Sequence, residues 1–349
     1  MSRTRPRRRL ARTLTVTAAA ALLVAPLAAT VPANAGGDEP QRTTIRPGDL
    51  PRGEDTALLH TERNEIVDGN RRIRLAAAHV TVLGRHGRTY IATTSNRDFE
   101  SWRLLRVRRD GTTKTLLRRT GSGPELYLDD TGFRFVVVDQ RREQTRMSVR
   151  NSLTGEVVRS RSFPGPVQVL DYSEGRMVLS EFTSERTRTF WWNAESNAQA
   201  HISGRPSYFA DITANRLGQL LGDPYQGGCQ KVVKLSRPSV KVWRSCRDRV
   251  FEVSPNAQRM VTGHILTDGP GPRVVRMRTG TGRLLATLRA EGITFLAWED
   301  DRRLLLGASG KRAAAAVRCV PAECERASKL YPRDGKSAWG TLPWTVPSD

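Results

Sequence analysis

The sequence has no G-x-S-x-G elbow, no HExxH, no Walker loop and no dinucleotide fingerprint. Each of these motifs builds a nucleophile, a metal or a phosphate site from closely spaced residues. Histidine is scarce. The five are His60, His79, His86, His201 and His264, and they do not cluster; each reads as a hairpin or surface residue rather than a ligand. The only four cysteines include no CxxC pair, which argues against zinc. Asp129-Asp130 and Asp300-Asp301 stand at turns, where Asp is favoured for its side-chain hydrogen bonds. The oxygen-rich calcium loop is missing. No metal and no cofactor is expected.

Apolar runs are equally few. Only Leu14 to Ala29 is long and apolar, and it is short for a membrane span. It follows a basic start of six arginines, from Arg3 to Arg12, and precedes Ala33-Asn34-Ala35. That layout is a secretory signal peptide, residues 1–35. Sec and twin-arginine export both stay open, since Arg8-Arg9 lies in an arginine-rich stretch. The expected product is soluble and secreted or associated with the cell wall. Lysine is absent until Lys114, so the basic character is carried by arginine. Without the six arginines of the start, the formal net charge of +22 falls to +16. A field of that sign favours polyanions.

What the chain does have is a repeat. Tight turns between apolar runs fall at Gly87, Gly132, Gly175, Asn215, Ala257 and Asp301, in steps of 45, 43, 40, 42 and 44 residues. A second turn follows each: Asp110-Gly111, Thr154-Gly155, Ser196-Asn197, Arg237-Pro238, Thr279-Gly280 and Val320-Pro321. Two hairpins per repeat make four strands, and a four-stranded unit of about 40–45 residues is a β-propeller blade. The fold class is therefore all-β. An orphan hairpin at Glu65–Leu75, with Asp68-Gly69 at its turn, precedes the first full repeat. It favours seven blades, with an incomplete N-terminal one that the tail can help to complete; six blades is the alternative. The reading places a flexible leader at 36–55, the propeller at 56–330 and a C-terminal tail at 331–349.

The cysteines fit this frame. Cys229 and Cys246 are symmetric about position 237.5, inside the second turn of one repeat. Cys319 and Cys324 are symmetric about 321.5 and bracket Val-Pro-Ala-Glu. An even count in an exported chain favours disulfides, and each pair can close within its own hairpin.

Ser254-Pro255-Asn256-Ala257-Gln258-Arg259-Met260-Val261 resembles the turn of TolB-type and WD-like propellers, and Asp129–Val136 is a looser match. The chain is similar to secreted actinobacterial propellers of unknown function. The Gly-His and Trp-Asp pairs of true WD repeats are missing. The resemblance implies the fold and a binding role, with no catalytic residues to carry over.

One pair of loops stands out. Gly222–Gly228 and Gly263–Pro272 are rich in Gly and Pro and come from adjacent repeats. Both join a second strand to a third, on the face where propellers usually hold ligands. Asp223, Tyr225, His264 and Asp268 are the candidate ligand-binding residues there. The favoured function is a secreted, non-catalytic propeller, read as a monomer, binding an extracellular polyanion, glycan or protein, without specific nucleic-acid recognition. The alternative is an enzyme acting on an extracellular glycan or peptide with a loop-face site, which needs converging carboxylates. A third class is a charge-driven sponge for nucleic acid or wall polymer, marked by strong salt dependence.

Overall fold

The computed structural model describes residues 39–121, 123, 125–183, 186–268, 271–333 and 344–347. The signal-peptide reading lies outside these residues. Seven antiparallel sheets of four strands stand around an axis. Blade two is typical: His79–His86, Thr89–Ser95, Ser101–Arg108 and Thr113–Thr120 run from the axis outward. The first strands of successive blades touch one another, which places them at the centre.

The continuous apolar runs are explained by this stacking. In Arg134–Gln140, the second strand of blade three, Phe135 and Val137 pack with Ile91 and Leu104 of blade two. Val136 and Val138 pack with Val169 and Leu179 of blade four. Both faces of the strand meet a neighbour, so both must be apolar. Third strands alternate more, as in Val274–Thr279, and the outermost strands meet solvent at the rim, as in the mostly exposed Val157–Pro164.

The turn reading holds at residue level. Gly87, Gly132, Gly175, Asn215 and Ala257 all take positive φ. At Gly132 a side chain is excluded twice, since an added Cβ would lie 2.0 Å from the Arg85 carbonyl oxygen of blade two. The turn aspartates bind locally and between blades. Asp129 accepts from Arg134 N and Thr131 Oγ1, while Asp130 accepts from Ser173 Oγ and Glu174 N of the next blade.

The ring closes as seven. Blade one takes His60–Glu62, Glu65–Asp68 and Arg71–Arg74 from the beginning of the fold. Its innermost strand is Trp344–Thr345, from the tail, paired antiparallel with Thr61 and Glu62.

The segment read as a leader is tied down where it is described. Gln41–Thr44 runs parallel to Leu284–Arg289 as a fifth strand of blade six. Farther on, Arg326 Nε donates to Leu50 O, Gly53 N donates to Arg326 O, and Arg318 reaches Glu54 O. A flexible reading followed from its polar, Pro- and Gly-containing composition. Backbone pairing needs no apolar side chains, so composition does not register it.

Both disulfides join the expected partners, Cys229 to Cys246 and Cys319 to Cys324. The second turn of blade five nevertheless falls at Leu235-Ser236, two residues before the position read from the sequence. Gln230 faces Ser245 beside the disulfide, but Lys234 faces Arg237 at the turn, because two register shifts lengthen the outer strand. The cysteines report the midpoint of the hairpin at its far end, and the bulges displace the turn.

Candidate functional site

The two Gly/Pro loops lie on one face, between the second and third strands of blades five and six. In the first, Asp223 caps the short 3-10 turn Pro224–Gln226 by accepting the Tyr225 N–H at 2.9 Å. Gly227, at φ 79, ends the turn. This throws Tyr225 outward, 73% exposed, and its hydroxyl donates to Asp268 Oδ2 at 3.2 Å. The adjacent-blade argument therefore brings Tyr225 and Asp268 together across 43 residues. Asp223 is committed to its own turn. His264 ends its strand opposite Asp248 and accepts the Leu266 N–H at Nδ1, 3.2 Å away. It belongs to a different wall.

That wall is the feature sequence reading missed. His264 and Thr267 border a cavity of about 850 Å³ with Arg42, Arg247, Arg273, Arg276 and Arg289. A second cavity, of about 960 Å³, shares Thr44, Arg273, Val274 and Arg289 and adds Arg46, Lys311 and Arg312. The two adjoin along the extra strand Gln41–Thr44, which places Arg42 and the Arg46 turn beside blade six. Among the described residues, Arg42, Arg247, Arg273 and Arg289 form no ion pair. Arg276 differs. Burial pushes its guanidinium down from the ordinary arginine range, and Asp248 beside it works against that. The acids bordering the groove are Glu39, Asp49 and Glu291. Glu291 lies 3.6 Å from Arg333, and Asp49 lies 3.9 Å from Arg46 at an exposed turn. The lining is dominated by cations. Its chemistry suits an anion with several charges, since planar guanidinium groups match carboxylate and phosphate oxygens. No cluster of three or more His, Cys, Asp or Glu placed to hold a metal occurs among the described residues.

Against known proteins, no family model matches the chain, and no curated protein matches it. Solved structures do. The β-propeller domain of the Trilobed protease from Pyrococcus furiosus superimposes with a TM-score of 0.53 at 9% identity, over 80% of this chain and 94% of that one. The likeness is one of fold. An uncharacterized protein of Listeria monocytogenes gives 0.49 at 11% identity, over 80% and 85%. TolB from Acinetobacter baumannii gives 0.44 at 9%, over 70% and 66%. At these identities the shared property is the propeller architecture, and function must be argued from this chain's own surface.

Proposed function

We propose that the protein is a secreted, non-catalytic binding propeller of the TolB-like kind. Its ligand is an extracellular polyanion, an acidic glycan or phosphate-bearing wall polymer, held along the arginine groove of blades six and seven. The observation that carries this reading is the convergence of Arg42, Arg247, Arg273 and Arg289 without ion-pair partners among the described residues. Like charges gathered without counter-charges destabilise the fold and are tolerated where a ligand supplies the counter-charge. In this reading His264 stands in the groove wall and the exposed Tyr225–Asp268 pair marks its margin. Two disulfides fit an oxidising compartment.

Retention on immobilised polygalacturonate and on polyphosphate, with neutral dextran as control, tests the reading. Wild-type protein is expected to bind both polyanions and to ignore dextran. Arg273→Glu with Arg289→Glu is expected to lower affinity at least about tenfold, the equivalent of 1.4 kcal/mol, without lowering the melting temperature. Equal retention of the double variant would place binding elsewhere.

A further inference from the structure

A second concave site lies across the ring, between blades two and three. Strand register builds it. In blade two His79 faces Ser95 and Ser95 faces Trp102, while one row away Thr81 faces Thr93. Directly opposed residues of antiparallel strands share a face. That face is turned to blade three, since Ile91 and Leu104 on it pack with Phe135 and Val137. At the end nearer the loops these residues line a cleft of about 200 Å³, completed by Gly123 and Leu126 of blade three and by Phe99. No Asp, Glu, Lys or Arg is among its lining residues.

Two costs are concentrated here. Phe99 stands at φ 59, a region that bulky residues avoid, and is 60% exposed. The Asn96 loop enforces that conformation. Asn96 O accepts from Phe99 N, and Asn96 Oδ1 accepts from Ser101 N. The result is an aromatic plate, with the Phe99 ring stacked on His79 at 4.1 Å and 16°. The second cost is Trp102. It is 6% exposed, and its Nε1 has no hydrogen-bond partner among the described residues, although buried donors are almost always paired. Gly123 covers it closely; a Cβ there would come within 3.3 Å of that nitrogen. A strained, exposed ring and an orphaned donor in one uncharged cleft are features that folding does not select.

We infer that this cleft binds a neutral sugar ring of a saccharide chain. The C–H face of the sugar lies on the Phe99–His79 plate. Its hydroxyls meet the row of Thr81, Thr93 and Ser95; the Thr81 and Ser95 hydroxyls can donate and accept, and Thr93 Oγ1, which donates to Thr81 O, can accept. An apolar wall with a few convergent polar groups is the usual make-up of a small-ligand pocket. The volume equals about seven waters at ~30 Å³ each, the scale of a single pyranose. The site is separate from the arginine groove and uses no charge, so the two respond differently to salt.

The test is an array of defined tetrasaccharides of glucose, mannose, galactose and N-acetylglucosamine, probed with the full secreted protein at about 1 M salt. There exposed charges are screened beyond about 3 Å, which silences the groove. Wild type is expected to be retained by at least one neutral saccharide, with a change in tryptophan fluorescence. Phe99→Ala is expected to weaken that binding about tenfold, near the upper worth of one aromatic contact, with no loss of melting temperature because the ring is exposed. Ser95→Ala is expected to weaken it as well, and Arg273→Glu to leave it unchanged. No retention of any saccharide at high salt, or equal retention by Phe99→Ala and Ser95→Ala, would overturn the site while leaving the polyanion reading intact.

Discussion

Replacing Asp248 by alanine is expected to cost about 3–5 kcal/mol of folding stability, the range for removing one partner of a buried ion pair. Asp248 is 2% exposed on the first strand of blade six. Its two oxygens accept from Arg276 Nη1 at 2.9 Å and Arg278 Nη2 at 2.6 Å, both on the third strand. Thr262, on the strand between, accepts from Arg278 Nε at 3.1 Å. The substitution leaves two guanidinium groups in the blade without their counter-charge. They cannot turn to water freely, because Arg278 also donates to Gly282 O and lies over the Trp243 ring. Urea unfolding of the purified protein measures the loss. A change under about 1 kcal/mol, the worth of an exposed pair, would mean the three groups are solvated.

Trp344→Ala is expected to release the ring closure, at a cost of about 3–5 kcal/mol for the lost aromatic side chain. Trp344 is stacked on His60 at 3.9 Å. Its Nε1 donates to the Tyr331 hydroxyl at 2.9 Å, which donates in turn to Glu62 Oε1 at 2.8 Å. Lys329 and Arg72 reach the same carboxylate, each at 2.7 Å. Burial alone would raise the Glu62 carboxyl; the Lys329, Arg72 and Tyr331 hydrogen bonds outweigh it and hold the group at about 2. Burial also pushes His60 below its usual value. Its Nδ1 donates to Leu58 O, and its Nε2 is buried without a partner among the described residues, so the N–H that protonation would create there has no acceptor. Both groups have folded values below their unfolded ones. Their contribution is therefore present at neutral pH and lost as the pH falls, first through His60 below 6.5 and then through Glu62 from 4.5 toward 2. Hydrogen exchange over residues 60–62 reads this directly. Protection is expected to fall early in the Trp344 variant, and to fall in the wild type on acidification. Unchanged protection in the variant would show that blade one closes without the tail.

The parts of this fold visible in the sequence are those made by local chemistry. Turn residues at fixed spacing gave the blades, because a hairpin needs positive φ at its corner and Gly and Asn supply it. The cysteines paired within single hairpins for the same reason. The orphan hairpin at Glu65–Leu75 favoured a seventh blade over six, and it has one. What the sequence leaves hidden is made by distant backbone pairing. The orphan hairpin points to the tail as the missing strand, but Trp344–Thr345 is too short to show any period that would name the pairing residues, and the parallel strand Gln41–Thr44 carries only polar side chains. The candidate site was legible in part. Adjacent-blade geometry brought Tyr225 to Asp268, but Asp223 is consumed by its own turn and His264 faces the groove. That groove was hidden by abundance. With arginine spread along the whole chain, no local run distinguishes Arg273 and Arg289 from the rest. Only the fold collects them beside Arg42.

The salt dependence of polyphosphate binding decides most directly whether that collection is the binding surface. The logarithm of the association constant should fall steeply with the logarithm of salt concentration. Arg273→Ala with Arg289→Ala should make the slope shallower by about 1.5–2, as expected when two phosphate contacts and their released counterions are lost. Parallel lines for the wild type and the double variant would contradict the assignment.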